Sequence, residues 1–222
     1  MHPHMEHQCC SLAKKDGTLG MCIDYRALND ITIRGRYPLS RIDDLLDNLH
    51  GCSILSSLEL QAGYRQMRIT DEYKHKIAIL TPMGQFQFKV LCFGLTNTPA
   101  TFQRVMNEIF REHIGNCVLV YLDDILLMSR SGEEHVKHLD LVLSLLEKHQ
   151  LQAKLSKCEF SSPELHFLGH VVGRDGIKVD LAKIAVIAMW LRPKNLKELQ
   201  AFLGLQNYFR KFVHISVLWW HR

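Results

Sequence analysis

Apolar and polar positions alternate with a period of about two in several short runs of the chain. Between residues 54 and 91 these runs read ILSSLEL, YRQMRI, KIAIL and QFQFKVL, and residues 117–128 add two apolar runs. A strand pair is also expected around 151–153 and 165–172. Turn-forming residues separate the runs: Gly63, Thr70-Asp71, Pro82-Met83-Gly84 and Asp123-Asp124. The pattern predicts a sheet of short strands.

Apolar positions with helical spacing flank these strands. A first helix is predicted over 41–49, with Gly51 at its C-cap. A second should start with Thr98 as N-cap and Pro99 as first helical residue. A third follows a capping box at 131–134. The expected inward residues are Phe102, Val105, Met106, Ile109 and Phe110 on the second helix, and Val136, Leu139, Val142, Leu145 and Leu146 on the third.

The end of the chain is predicted to be helical, with helices that start near Asp180 and Asn195. Strands interleaved with helices without strict alternation favour an α+β fold over a doubly wound sheet. No internal repeat and no linker rich in Pro, Gly or Ser divides the sequence. We therefore expect one continuous body.

The composition narrows the class of protein. The chain has 222 residues, of which 47% are hydrophobic and 23% charged, as in globular proteins. Its seven cysteines contain no C-x-x-C pair and follow no signal peptide, which favours an intracellular, cytoplasmic location. The longest apolar run, 118–128, is broken by two aspartates and is too short for a bilayer, so no membrane is expected. A net charge of +4 is compatible with a nucleic-acid partner without deciding it.

Acidic residues at strand ends carry the candidate chemistry. An isolated Asp123-Asp124 between two apolar strands is more often a hairpin turn, because Asp is a favoured turn residue. Glu59, however, ends ILSSLEL in a similar setting. Carboxylates from different strands can hold two divalent ions for phosphoryl transfer. The pattern alone is therefore compatible with two interpretations, a hairpin turn and a metal site.

A series of segments, in order and at matching intervals, resembles the reverse transcriptase domain of gypsy-type long-terminal-repeat retrotransposons. The resemblance covers about residues 14–212. The segments that carry it are MCIDYRALN (21–29), YPLSRIDDLLDNL (37–49), LQAGYRQMRI (60–69), VLCFGLTNTPATFQRVMN (90–107), YLDDIL (121–126), KLSKCEF (154–160), FLGHVV (167–172) and ELQAFLGLQNYFRKF (198–212).

This resemblance implies a right-hand polymerase fold with fingers, palm and a partial thumb or connection, the palm being an antiparallel sheet packed on helices. It divides the chain into a non-family, disordered start (1–13), fingers and palm (14–173), thumb- or connection-like helices (174–212) and an aberrant tail (213–222). The implied activity is RNA-directed DNA synthesis from deoxynucleotides on an RNA or DNA template–primer. The implied cofactors are two Mg²⁺ or Mn²⁺ ions, and the implied location includes retrotransposon particles.

The resemblance also assigns roles to single residues. Glu59, Asp123 and Asp124 match the metal-binding, catalytic acids. Tyr64 matches the aromatic that excludes a 2′-hydroxyl, although a core aromatic on a strand fits the local pattern equally well. The other assigned residues are Lys14, Lys15, Arg26, Phe93 and Gly94 for the nucleotide, and Tyr121, Pro99, Phe167, Leu168, Gly169 and His170 for primer and template. Gly94 and Pro99 are alternatively a turn and a helix start, His170 a structural surface histidine, and Lys14-Lys15 a solvated charge pair.

Several positions depart from the family pattern. The first acid is normally Asp and is here Glu59, whose carboxylate lies one methylene further out. Relatives usually carry Trp-Arg where this chain has Leu19-Gly20, and Gly20 has no side chain for a charge-assisted hydrogen bond to a phosphate. Both ends also leave the pattern. These departures predict impaired catalysis, and the alternative to an active polymerase is a decayed retroelement remnant that keeps the fold and at most binds nucleic acid.

Overall fold

The structure is a computed structural model, and it describes residues 9–13, 19–38, 49, 51–174, 176–179, 189–190 and 192–208. The strands described are β1 (Cys9–Ala13), β2 (Leu19–Ile23), β3 (Ile54–Glu59), β4 (Ile79–Thr81), β5 (Gly84–Phe86), β6 (Val118–Tyr121), β7 (Asp124–Ser129), β8 (Glu159–Ser162), β9 (Glu164–Phe167), β10 (His170–Gly173) and β11 (Gly176–Val179). The helices described are α1 (Arg26–Ile31), α2 (Asp71–Lys74), α3 (Thr98–Ile109), α4 (Gly132–Lys148) and α5 (Leu196–Tyr208). This mixture of helices and antiparallel sheets confirms the α+β prediction. The prediction of a disordered start over 1–13 is wrong for Cys9–Ala13, which pairs with β2 as strand β1.

A four-stranded antiparallel sheet in the order β6-β7-β3-β8 forms the centre of the molecule. The two apolar runs on either side of Asp123 pair with each other as β6 and β7, as predicted. Strand β3 pairs with β7 over its whole length, from Ile54 opposite Ser129 to Glu59 opposite Asp124. The acidic ends of the two central strands therefore lie next to each other at one end of the sheet.

The period of two sends alternate residues of these strands into two separate cores. On one face, Leu58, Val120 and Ile125 are buried together with residues of α3 and α4. On the other face, Leu55, Leu119 and Leu126 are buried against β9 and β10. The sheet is thus covered on both faces, which fixes its register, since a slip by one residue would exchange the two cores.

Helix α3 begins at Thr98, so the prediction of Thr98 as N-cap is wrong by one residue. Asn97 is the cap position, and Pro99 lies in the first turn. The hydroxyl of Thr98 donates to the carbonyl of Cys92 instead of capping the helix. Phe102, Met106 and Phe110 are buried, as the helical spacing predicts.

Helix α4 begins with the predicted capping arrangement: Ser131 is the N-cap, and its hydroxyl accepts from the N–H of Glu134. The Glu134 carboxylate accepts from the N–H of Arg130, one residue before the cap. The predicted inward position of Val136 is wrong, since this side chain is 68% exposed. His135 is buried in its place because its ring bonds the hydroxyls of Ser56 and Ser129.

Some predicted strands are replaced by turns. The segment YRQMRI forms a 3-10 turn over Gly63–Gln66, followed by one bridge between Arg68 and Val90. Ala153 likewise contributes a single bridge to Leu60 rather than a strand over 151–153. Helix α5 follows Asn195 as predicted, and the Asn195 side chain accepts from the N–H of Glu198. The predicted helices over 41–49 and near Asp180 lie largely outside the described residues.

A third, smaller cluster of buried residues lies apart from the central sheet. It joins Ile23 and Tyr25 to Ile77, Ile79 and Cys92. The Tyr25 hydroxyl donates to the carbonyl of Ile77 and so links the N-terminal segment to the β4 region. Within the described part of the chain, no helix is long and apolar enough to cross a membrane.

Candidate active site

Three acidic residues lie side by side at one end of the central sheet and line the same cleft. Glu59 ends β3 and stands directly across from Asp124, the first residue of β7. Asp123 precedes Asp124 in the turn between β6 and β7. A cleft of about 270 Å³ opens over them and is lined by Glu59, Tyr64, Phe93, Tyr121, Leu122, Asp123 and Asp124.

The β6–β7 turn is held from two sides. Leu122 has a φ of +52°, a left-handed conformation that costs a residue with a Cβ roughly 1–2 kcal/mol. Its N–H donates to the side-chain oxygen of Gln103 at 2.7 Å. On the other side, the Asp123 carbonyl accepts from the N–H of Leu60 at 2.9 Å. Contacts from α3 and from the end of β3 therefore fix the turn.

Gly63 leaves the space into which Asp123 fits. A Cβ built on Gly63 would lie 3.0 Å from Asp123 Oδ1 and 2.9 Å from the Phe102 ring. Such separations are shorter than van der Waals contact, so a larger residue would displace the carboxylate or the ring. The glycine in LQAGYRQ is thus required by close packing against the site.

The cleft is electrostatically crowded. Burial, together with the neighbouring Glu59 and Asp123 charges, raises the pKa of Asp124 to about 6. Burial and Glu59 also raise the pKa of Asp123. The ammonium of Lys157 forms an ion pair with the Glu59 carboxylate and opposes both increases. The site therefore carries more negative charge than its protein surroundings neutralise.

The donor atoms fit a hard divalent cation. Asp123 Oδ1 is buried and, among the described residues, has no hydrogen-bond partner. A buried carboxylate oxygen without a partner is costly, and a bound cation would remove that cost. The described residues do not contain a preformed cluster of three His, Cys, Asp or Glu ligands. Glu59, which is paired with Lys157, would have to turn towards the two aspartates to complete such a set.

Tyr64 lies in the wall of this cleft. It belongs to the 3-10 turn after β3, not to a strand, and is 8% exposed. Its ring packs edge-on against Phe102, with 5.1 Å between centroids, and at a tilt of 58° against Phe93, with 5.0 Å between centroids. Phe93 is half-exposed and extends the wall towards solvent.

Gly94, a predicted nucleotide residue, and Pro99, a predicted primer or template residue, lie in the loop before α3 and in the first turn of α3. Gly94 has a φ of +96°, and its carbonyl accepts from the Asn29 side chain at 2.7 Å. Pro99 lies in the first turn of α3. The structure thus shows the turn and the helix start that these residues form locally.

The predicted basic residues of the fingers are not brought to the cleft by any contact that the structure describes. The exposed Arg26 guanidinium forms an ion pair with Asp24 at 2.6 Å, and the hydrogen bond to Asp24 raises its pKa. Lys14 and Lys15 lie outside the described residues. Gly20 pairs with Leu12 between β2 and β1.

The predicted primer segment is the β9–β10 hairpin. Phe167 pairs with His170 across a two-residue turn formed by Leu168 and Gly169. Phe167 is buried, and Leu168 packs on the same cluster as Tyr121. The hairpin is therefore connected to the strand that ends in the acidic turn. His170 is 1% exposed, so its interpretation as a surface histidine is wrong.

Two residues of the site were not found from the sequence. Gln103 bonds the acidic turn from α3, and Lys157 pairs with Glu59 from the loop after α4. Gln103 and Asn107 are polar residues four apart beside the buried Phe102 and Met106. A polar residue at the border of an apolar helix face is a pattern from which Gln103 could have been predicted. The segment KLSK contains no comparable pattern from which the pairing of Lys157 could have been predicted.

Comparison with known proteins assigns the family. The sequence profile of the family described as reverse transcriptase (RNA-dependent DNA polymerase) matches residues 12–172. The chain belongs to the reverse transcriptase family. Similar curated proteins are the retrovirus-related Pol polyproteins from transposons 297 and opus of Drosophila melanogaster, with 43% identity over 86% of this chain and 40% over 87%. A Tf2-3 transposon polyprotein of Schizosaccharomyces pombe is 38% identical over 90%.

This reverse transcriptase domain spans less than a fifth of those polyproteins: 18%, 19% and 15% of their lengths. The family resemblance and the relation to retrotransposon Pol polyproteins are thereby confirmed, while the gypsy type stays a prediction.

Solved structures confirm the right-hand polymerase fold. A foamy viral protease–reverse transcriptase dRH in complex with double-stranded DNA is similar with a TM-score of 0.86 and 28% identity, covering 93% of this chain and 36% of that one. The foamy viral protease–reverse transcriptase in complex with an RNA/DNA hybrid gives a TM-score of 0.80 and 27% identity, covering 93% and 28%.

Proposed function

We propose that this chain catalyses RNA-directed DNA synthesis, the transfer of a deoxynucleotide to a primer 3′-hydroxyl. The observation that carries the proposal is the convergence of Glu59, Asp123 and Asp124 on one cleft, with a buried Asp123 oxygen that has no partner among the described residues. Two Mg²⁺ or Mn²⁺ ions held there would activate the hydroxyl and stabilise the charge that develops on the phosphate.

The chain's own residues have distinct parts in this reaction. Asp123 and Asp124 would hold the ions, and Glu59 would join them on separating from Lys157. Tyr64, fixed by Phe102, forms the wall that excludes a ribose 2′-hydroxyl. Further nucleotide contacts are proposed for Phe93, Gly94, Lys14, Lys15 and Arg26, and primer or template contacts for Tyr121, Pro99, Phe167, Leu168, Gly169 and His170.

The partners proposed are a deoxynucleoside triphosphate and an RNA or DNA template–primer. The similar foamy viral proteins are described in complex with double-stranded DNA and with an RNA/DNA hybrid, and the positive net charge of this chain suits the same polyanions. We propose fingers and palm over 14–173 and thumb- or connection-like helices over 174–212. A cytoplasmic location in retrotransposon particles belongs to the same proposal.

Primer extension tests the proposal directly. Native chain, Glu59→Asp and Asp123→Asn would be incubated with an RNA template, a DNA primer and dNTPs, first with Mg²⁺ and then with Mn²⁺. We expect slow extension by the native chain, because Glu59 is engaged by Lys157, faster extension by Glu59→Asp, and none by Asp123→Asn. Extension by Glu59→Asp alone would identify Glu59 as a lesion. Absence of extension from the native chain and from Glu59→Asp would overturn the proposal in favour of a remnant without turnover.

A further inference from the structure

Gln103 is the residue of α3 that contacts the acidic turn. Its side chain is 1% exposed, and its oxygen accepts from the N–H of Leu122 at 2.7 Å. Its amide nitrogen donates to the carbonyl of Val120 at 3.1 Å. One side chain thus bonds the backbone on both sides of Tyr121, immediately before the two aspartates.

The Leu122 amide needs a partner outside the β ladder. Leu122 is the first of two residues that close the β6–β7 hairpin, so it lies outside the paired residues of the two strands. Its φ of +52° is favourable for glycine and unfavourable for leucine. An acceptor that bonds this amide favours the left-handed conformation over the alternatives that leucine would otherwise adopt.

Gln103 is itself held in one orientation. Its amide nitrogen also donates to the Asn107 side-chain oxygen at 2.8 Å, one helical turn further along α3. Asn107 in turn donates to the Tyr37 hydroxyl at 2.8 Å. Since both amide donors and the oxygen of Gln103 are engaged, its side chain has one orientation that satisfies all its partners.

The turn conformation determines where the carboxylates lie. Asp123 follows Leu122 directly, and Asp124 is paired with both Tyr121 and Glu59. A catalytic group displaced by about 1 Å can lose on the order of a hundredfold in rate. We propose that Gln103 is a positioning residue, which selects the left-handed turn at Leu122 and thereby aims Asp123 and Asp124 into the cleft. This inference rests on the proposed function for its consequence in catalysis.

The test compares Gln103→Met, which keeps the length of the side chain and removes its hydrogen bonds, with Gln85→Met on the exposed strand β5 as control. Amide exchange at Leu122 measures the turn, and Mn²⁺ affinity of the metal-free chain measures the carboxylates. We expect exchange at least about tenfold faster and Mn²⁺ affinity roughly tenfold weaker in Gln103→Met. In primer extension, kcat should fall while KM for the nucleotide stays within about threefold.

A glycine background separates positioning from general packing. Glycine adopts a φ near +52° without a steric cost, so the turn no longer depends on its acceptor. Compared with Leu122→Gly alone, the double variant Gln103→Met/Leu122→Gly should bind Mn²⁺ with less than about threefold further loss. An undiminished tenfold loss in that background would overturn the inference, because Gln103 would then act through packing.

A variant with a smaller change tests the inference even if Gln103→Met fails to fold. Asn107→Ala keeps both bonds from Gln103 to the turn and removes one brace, so exchange at Leu122 should increase by about two- to threefold. Unchanged exchange in both Asn107→Ala and Gln103→Met would overturn the inference. If Leu122 loses protection in Gln103→Met but the native chain neither binds Mn²⁺ nor extends a primer, the turn is positioned as inferred and the proposed function fails instead.

Discussion

The β6–β7 and β9–β10 hairpins are both closed by two residues, and in both the first is a leucine with positive φ: 52° at Leu122 and 49° at Leu168. They differ at the second position. Gly169 has a φ of +82°, so the Leu168-Gly169 turn has the two positive values of a type I′ hairpin, which matches the twist of its strands. Asp123 takes the corresponding place in the other turn.

This difference separates a turn that local chemistry specifies from one that tertiary contacts specify. In the β9–β10 hairpin, glycine supplies one of the two positive φ values, and the flanking Phe167 is buried. In the β6–β7 hairpin, the second residue carries a carboxylate, and the conformation depends on Gln103, Leu60 and the space left by Gly63. The acidic turn thus has its conformation maintained by residues elsewhere in the chain.

Removing the charge at the acidic hairpin should have the largest effect. Asp124→Asn is expected to reduce primer extension by at least about a hundredfold, because one of the proposed metal ligands is lost. The chain should nonetheless melt at a higher temperature at pH 7, since burial and the adjacent acids disfavour the charged Asp124. Extension assays and thermal melting measure the two effects. Asp140→Asn, an exposed change on α4, is the matched control and should alter neither primer extension nor the melting temperature. A lower melting temperature in Asp124→Asn would contradict the electrostatic argument.

Filling the space beside Asp123 should be the next largest effect. Gly63→Ala places a methyl group 3.0 Å from Asp123 Oδ1 and should destabilise the chain by about 1–3 kcal/mol, with weaker Mn²⁺ binding. Urea unfolding and Mn²⁺ titration measure both. Gly204→Ala on α5, where the added Cβ meets nothing within 4 Å, is the control and should not destabilise. Native Mn²⁺ affinity in Gly63→Ala would show that the carboxylate tolerates the methyl group.

The acidic site illustrates what the sequence can and cannot predict. The strands around Asp123-Asp124 and the position of Glu59 could be predicted, because apolar alternation and strand ends are local features. Tyr64 was expected on a strand, yet it lies in a 3-10 turn, since the close approach of Asp123 and Phe102 to Gly63 comes from distant segments. The Glu59–Lys157 pair joins residues 98 apart in sequence, and no local pattern connects them.

In the other hairpin, Gly169→Ala should destabilise without affecting the acidic site. A Cβ at a φ of +82° costs roughly 1–2 kcal/mol, so the midpoint of urea unfolding should fall. Mn²⁺ affinity should stay at the native value, because the β6–β7 turn keeps all its contacts. Weaker Mn²⁺ binding in this variant would show that the two hairpins are coupled through the cluster that contains Tyr121 and Leu168.

The acidic hairpin should also respond to pH. The pKa of Asp124 is raised to about 6 from an ordinary value of 3.8, so between these values the folded chain binds more protons than the unfolded chain. Without metal, the contribution of Asp124 to stability is therefore greatest at low pH and is lost as pH rises through about 6. Mn²⁺ affinity should increase over the same interval, because the ligand must lose its proton.

Urea unfolding from pH 5 to 7.5, measured as the difference between native chain and Asp124→Asn, separates the acidic cleft from titrating residues elsewhere in the chain. Asp71 and Glu134, whose pKa values are lowered, contribute equally to both chains and cancel. A difference that does not vary with pH would contradict the assignment.

The smallest expected effect concerns the cations near the two hairpins. Lys157 pairs with Glu59 beside the acidic turn, and Lys178 pairs with Glu164 at the β9–β10 sheet; both lysine side chains are 48% exposed. Such half-exposed pairs contribute about 0–1 kcal/mol, so Lys157→Met and Lys178→Met should lower the free energy of unfolding by similar small amounts. Only Lys157→Met should strengthen Mn²⁺ binding, by a few-fold. The substitution removes a cation that competes for Glu59, and it leaves the cleft more negative. Equal Mn²⁺ affinities in the two variants would show that Glu59 is not a ligand, and the ions would then be held by the two aspartates of the turn.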